Sequence, residues 1–205
     1  EMTSSLVGSE MCKETEQTVS LAGTKTAYGV IEGRFGNGSA IGGYYNSFNT
    51  SGHDYNNYKR GTELDYLWGA YASLNFSKDW NLLANYERVN YNSNINSTVR
   101  GDEDSATVWI GRLTYGKAVM ATPKTWDAWV EYINAEDGAF IGGSTNSWRF
   151  GQMDNIESWG AGIDYTFAKN AQFQVMQSFA SKLKDSNSDS KDPEEQTRAQ
   201  FVFAF

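Results

Sequence analysis

Nine charged residues sit where a β-strand would aim them to the same side as their polar neighbours: Glu32 and Arg34, Glu63 and Asp65, Arg112, Asp127 and Glu131, Asp164, and Arg198. Successive side chains of a strand point to opposite faces, so charges two or four residues apart share one face. Such residues hold water and ions, and they pair with one another across strands. The acids Glu32, Glu63, Asp65, Asp127, Glu131 and Asp164 outnumber Arg34, Arg112 and Arg198, which favours cations over anions. For any one of them, pairing within the wall of a sheet outweighs a role in selectivity.

Covalent chemistry has little to work with. His53 is the only histidine, and although Ser51 and Asp54 flank it, a Ser/His/Asp set this close in sequence is usually coincidence. There is no Gly-x-Ser-x-Gly elbow, so an enzyme is not expected. Cys12 is the only cysteine, which excludes an internal disulfide and a cysteine-built metal site, and Met11-Cys12 lacks the small-residue context of lipid attachment. No cofactor is expected. The acidic stretches Gly101–Asp104 and Asp185–Glu195 read as solvated loops, although they suit divalent cations held between lipopolysaccharide molecules. Their spacing matches no calcium loop. A net charge of -8 with no Lys/Arg cluster argues against nucleic acid.

The elements that must carry these charges are strands. Thr62, Leu64, Tyr66, Trp68, Ala70, Ala72, Leu74 and Phe76 alternate with Glu63, Asp65, Leu67, Gly69, Tyr71, Ser73 and Asn75. Trp126, Ala128, Val130 and Tyr132 alternate with Asp127, Trp129, Glu131 and Ile133, and Trp159, Ala161, Ile163, Tyr165 and Phe167 with Ser158, Gly160, Gly162, Asp164 and Thr166. Ala171, Phe173, Val175 and Phe179 face away from Gln172, Gln174, Met176 and Ser178, and the chain ends on Ala199, Phe201, Phe203 and Phe205 at alternate positions. Runs of about ten residues suit a tilted strand crossing a bilayer, whereas soluble strands are usually about five or six. The mean hydropathy of -0.57 and the absence of a long apolar run exclude membrane helices only, since half of each barrel strand is polar.

Expected strands are Lys25–Phe35, Ser39–Phe48, Thr62–Phe76, Trp80–Tyr91, Ser105–Lys117, Lys124–Asn134, Glu157–Phe167, Ala171–Lys182 and Gln196–Phe205. Connections alternate between short ones (Gly36–Gly38, Ser77–Asp79, Gly116–Pro123, Ala168–Asn170) and long ones (Thr50–Gly61, Asn92–Asp104, Ala135–Asp154, Leu183–Glu195). Bacterial outer-membrane barrels have short periplasmic turns and longer outer loops, which makes the C-terminus periplasmic. Phe35, Phe76, Trp80, Tyr115, Trp126, Phe167 and Phe205 then form an aromatic girdle at the periplasmic rim. The loop Ala135–Asp154, with Phe140, Trp148 and Phe150, either folds inward as a constriction or packs over the rim.

The expected fold is therefore all-β, an antiparallel transmembrane up-and-down barrel. About nine strands are visible, an odd number where closed bacterial barrels are even. Glu16–Leu21 supplies a poor tenth, or the chain is the C-terminal part of a larger barrel of about 16 strands; we favour the latter. Residues 1–23 read as an outer loop or poor strand and residues 24–205 as the barrel region. No export leader opens the chain at Glu1, so any such signal has been removed or lies outside this stretch.

The run Trp159-Gly160-Ala161-Gly162-Ile163-Asp164-Tyr165-Thr166-Phe167-Ala168-Lys169-Asn170 and the ending Thr197-Arg198-Ala199-Gln200-Phe201-Val202-Phe203-Ala204-Phe205 resemble porins of outer-membrane-bearing Firmicutes. They are similar to the C-terminal barrel of the OmpM family, whose members add an N-terminal wall-binding domain. The resemblance implies an outer-membrane porin, assembled as a homo-trimer among outer-membrane lipid and lipopolysaccharide, that passes small hydrophilic solutes and ions by diffusion. The alternatives are a small outer-membrane barrel enzyme, a plugged structural barrel, or a soluble glycan-binding β-sandwich.

Overall fold

The computed structural model describes residues 25–49, 64–91, 104–139, 147–149, 153–184 and 191–204. Nine strands, β1 (Lys25–Arg34), β2 (Ala40–Asn49), β3 (Leu64–Asn75), β4 (Trp80–Tyr91), β5 (Ser105–Gly116), β6 (Trp126–Ala135), β7 (Ile156–Ala168), β8 (Ala171–Leu183) and β9 (Thr197–Phe203), form a single antiparallel, up-and-down sheet in sequence order. β1 and β9 are its two edges; no pairing joins them among the described residues. The only helical element among those residues is a 3-10 turn at Ser147–Arg149. Among the described residues no helix is long and apolar enough to cross a membrane, which says nothing of strands. The expected strand at Glu16–Leu21 lies outside the described residues.

Each short turn is fixed by its own chemistry. Between β1 and β2, Gly38 takes φ +80° and the Asn37 side chain accepts the Ser39 N–H at 3.0 Å, an Asx turn. Between β3 and β4, Ser77 Oγ accepts the N–H groups of Asp79 and Trp80. Between β7 and β8 only Lys169 and Asn170 intervene, and Asn170, at φ +62°, is among the residue types that tolerate the left-handed region. The β5–β6 turn is longer: Thr125 Oγ1 accepts the Val119 N–H and donates to the Thr122 carbonyl, while Asp127 accepts the Ala118 N–H at 2.8 Å.

These turns set the register, and the register sorts the side chains onto two faces. Pairs such as Tyr45↔Trp68, Ala72↔Ala84, Leu82↔Leu113, Val130↔Ala161 and Ile163↔Val175 place one apolar face across the sheet. Pairs such as Glu32↔Gly42, Gly69↔Glu87, Arg112↔Glu131, Asp127↔Asp164 and Gln174↔Gln200 place the opposite face. A slip of one residue would exchange the two faces of a whole strand, which is why the hydrophobic pattern specifies pairing so strongly.

The second face is not polar throughout. At the end bearing the long connections, Phe48, Leu64 and Val89 form one buried cluster, and Ala106, Val108, Ile133, Ala135 and Ile156 form another. Ala139 and Met153, from the two ends of the β6–β7 connection, complete the second cluster. Asp154 fastens those ends by accepting the N–H groups of Gly138 and Ala139, each at 3.1 Å. Ile133, expected on a wet surface, is fully buried for this reason.

Candidate pore-lining face

Toward the short turns the polar face carries charge. Arg112 on β5 and Glu131 on β6 are directly opposite, and the guanidinium donates to Glu131 Oε2 from Nε at 3.0 Å and from Nη2 at 2.5 Å. The second carboxylate oxygen is taken by Arg149 of the 3-10 turn, whose Nε donates to Oε1 at 3.0 Å. Arg149 Nη1 also donates to Ser158 Oγ at 2.9 Å. Glu131 and Arg149 are each 1% exposed, while Arg112 retains 28% side-chain exposure. Two guanidinium groups on one carboxylate offset the cost of taking Glu131 and Arg149 out of water.

Aromatic rings complete this cluster. Arg112 Cζ lies 4.2 Å from the Trp129 ring centre and Arg149 Cζ 4.3 Å from that of Trp148, with the two indoles 5.5 Å apart. Gly160 and Gly162 form the floor beneath them. A Cβ at Gly160 would come within 2.6 Å of Trp148 and 2.7 Å of Arg149, and one at Gly162 would collide with Trp129. Of the Ala135–Asp154 loop, Trp148 and Arg149 lie against the polar face of β6 and β7; Phe140 and Phe150 lie outside the described residues.

A chain of hydroxyls extends from this cluster to the segment before β9. Ser158 Oγ and Ser181 Oγ are 2.8 Å apart, and Glu195 accepts from Ser178 Oγ at 2.7 Å, from Ser181 Oγ at 2.8 Å and from the Ser181 N–H at 2.9 Å. Desolvation works against the ionised Glu195 carboxylate, but these donors together outweigh it and hold the carboxyl below its ordinary value. A depressed folded value means that this latch contributes in full above the ordinary value of 4.5 and is lost as pH falls through the folded one. Hydrogen-exchange protection of the Ser181 and Gln196 amides should therefore weaken only below about pH 4.5 in the native protein. In Glu195→Gln it should already be weak at pH 7; equal protection in both proteins would remove the latch.

The remaining charged candidates spread over the same face. Asp127 and Asp164 face each other across β6 and β7, Glu32 and Arg34 form an ion pair at 2.5 Å on β1, and Arg198 lies opposite Met176. Asp65 is exposed at an irregularity in the β3–β4 pairing, and Glu63 lies outside the described residues. Sequence reasoning missed Glu87, which accepts a 2.5 Å hydrogen bond from Tyr44 OH, and Arg149. Among the described residues no group of three or more metal-ligating side chains converges.

The apolar face carries aromatic rows at both ends. At the short-turn end Phe76 and Trp80 (6.2 Å), Trp80 and Tyr115 (4.9 Å), and Tyr115 and Trp126 (5.9 Å) are in ring contact. Phe167 meets Phe201 and Phe203, and Phe35 is exposed at the same end. Phe205 lies outside the described residues. A second row, which the sequence reading did not identify, joins Tyr45 to Tyr66, Trp68 to Tyr86, Trp109 to Tyr132, Tyr132 to Trp159, and Trp159 to Phe179. Its signal was present: Trp80 and Tyr86, Trp109 and Tyr115, Trp126 and Tyr132, and Trp159 and Tyr165 are each six residues apart in one strand. Six residues span about 20 Å along a strand. Between the rows lie Ala, Leu, Val and Ile together with Gly111 and Gln177, and this band is open: Ile163 is 56% exposed.

No family model matches the chain, and no curated protein matches it.

Proposed function

We propose that this sheet is part of the wall of an outer-membrane porin, a barrel of about 16 strands that assembles as a trimer and passes small hydrophilic solutes and ions. The inverted distribution of side chains carries this reading. Soluble folds cover large apolar side chains and leave charges in water, whereas here Trp126 and Ile163 are open while Glu131 and Arg149 are buried. An apolar band bordered by two aromatic rows matches a barrel's lipid-facing surface and its two interfacial girdles. Strands of 10 to 13 residues for β1 through β8 support the same reading, since tilted strands need about 9–11 residues to cross hydrocarbon. A β-sandwich would need a second sheet over the apolar face, and the described residues provide none.

In this reading the Arg112–Glu131–Arg149 cluster is a clamp that draws the turn at Ser147–Arg149 onto the water-filled side and narrows the path. The described strand acids of that face are Glu32, Glu87, Asp127, Glu131 and Asp164, against Arg34, Arg112 and Arg198, and the connections add Glu195 and Arg149. Acids exceed bases by two, which gives a weak preference for cations. The detergent-purified protein in a planar bilayer should show discrete ohmic steps, and its reversal potential in a salt gradient should favour cations. Silence from a folded, heat-modifiable protein would overturn the pore, and an anion-selective potential would overturn the charge assignment alone.

A further inference from the structure

Two tyrosines of the polar face lie flat across neighbouring strands. Tyr71 on β3 is opposite Gly42 on β2, its ring occupies the space a Gly42 side chain would fill, and its hydroxyl reaches Glu32 on β1 at 2.5 Å. Tyr44 on β2 is opposite Gly69 on β3, its ring fills the space over that glycine, and its hydroxyl reaches Glu87 on β4 at 2.5 Å. Each ring thus has one face on glycine backbone and its opposite face turned away from the sheet. Tyr28 on β1 extends the row: the centroid distances Tyr28–Tyr44 and Tyr44–Tyr71 are both 6.4 Å, with interplanar angles of 37° and 34°. Tyr28 is 62% exposed.

Trp129 is seated over Gly162 in the same way, but its free side is covered by Arg112 and Trp148. Among the described residues, no cation or indole covers the tyrosine row in that manner. Hydrogen-bonding groups border the row. Glu32, Arg34 and Glu87 stand at its margins.

We propose that Tyr28, Tyr44 and Tyr71 form a binding track for a neutral saccharide, which stacks its apolar C–H face on the rings and directs its hydroxyl groups to the charged side chains beside them. The rings form a shallow, tilted platform rather than opposed walls, which suits a flat, extended, hydroxyl-rich ligand better than a compact organic cation. Arg34 offsets the charge of Glu32, which further favours a neutral ligand. The track rests on this face being open to water, as the porin reading requires, and it deepens that reading by naming a solute class.

The test is binding of maltotriose to the full chain in detergent, followed by saturation-transfer NMR, together with bilayer conductance. Maltotriose should bind, and Tyr28→Ala and Tyr71→Ala should each weaken it about tenfold, a loss expected for one stacking ring. Tyr71→Phe, which keeps the ring and loses the bond to Glu32, should remain within about twofold of the native affinity. Tyr28→Ala guards against misfolding as the cause, because an exposed tyrosine makes little contribution to folding. Absence of binding by folded protein, binding indifferent to both alanine variants, or preferential binding of tetramethylammonium would each overturn the track. Saccharide binding without conductance would overturn the pore and leave the track; conductance without saccharide binding would do the reverse.

Discussion

Arg149→Met is expected to destabilise the folded protein by about 3 kcal/mol and to raise its single-channel conductance. Removing one partner from a buried ion pair costs about 3–5 kcal/mol because it leaves the other charge uncompensated. Glu131 would keep Arg112, whose guanidinium remains bonded to Oε2, so the lower end of that range applies. The same substitution frees Ser158 Oγ of its donor and removes the guanidinium stacked at 4.3 Å on Trp148. With its anchor gone, the turn at Ser147–Arg149 should leave the polar face and widen the path. Denaturant titration in detergent micelles reads the stability, and bilayer recording reads the conductance. The double variant Glu131→Gln, Arg149→Met should recover part of the stability, because it removes the stranded charge, but none of the narrowing. If Arg149→Met leaves conductance unchanged while lowering stability, the clamp is structural and the turn does not border the path. If it changes neither, the buried ion pair itself is refuted.

Most of the sheet was legible in the sequence, and the physical reason is the two-residue period. Trp159, Ile163 and Tyr165 could share a face only as a strand, and the strand ends deduced from Gly36–Gly38, Ser77–Asp79 and Ala168–Asn170 differ from those observed by one residue at most. Turn chemistry and alternation agreed with each other there, which is the circumstance in which local reading succeeds. β4 was harder because Leu82 and Leu83 are both apolar, so alternation lost its contrast where Glu87 had to be placed. Arg149 was not legible at all. It belongs to a connection with no period, and what brings it to Glu131 is a tertiary match between one buried carboxylate and a guanidinium 18 residues further along the chain. Glu131 itself was placed on the correct face. Its burial between two arginines shows that a charge aimed at that face need not be open to solvent, and the wall-pairing reading describes it best. The second aromatic row was present in the six-residue spacing of tryptophans and tyrosines, yet one ring per strand end is visible to the eye only once the register aligns Tyr132 with Trp159 and Trp159 with Phe179.

The apolar face gives the largest test of where this protein resides. Ile163 sits between the two aromatic rows, opposite Ala128 on β6 and Val175 on β8, and is 56% exposed. If that face met water, Ile163→Arg would place a charge on an open surface, where substitutions usually change stability by within about 0.5 kcal/mol, and solubility would improve. If the face meets hydrocarbon, arginine there should cost about 2–4 kcal/mol, falling toward zero when the same substitution is made near an interface. The depth profile is therefore more informative than any single value. Ile163→Arg should be severe, Phe179→Arg, in the loop-end aromatic row and opposite Trp159, should be milder, and Ile163→Leu should be neutral. Folding into lipid vesicles followed by denaturant titration measures all three. A flat profile with every variant near zero would place the apolar face in water and overturn the barrel reading with it. A cost that is larger between the aromatic rows than within them would set the hydrocarbon against the band that holds Ile163.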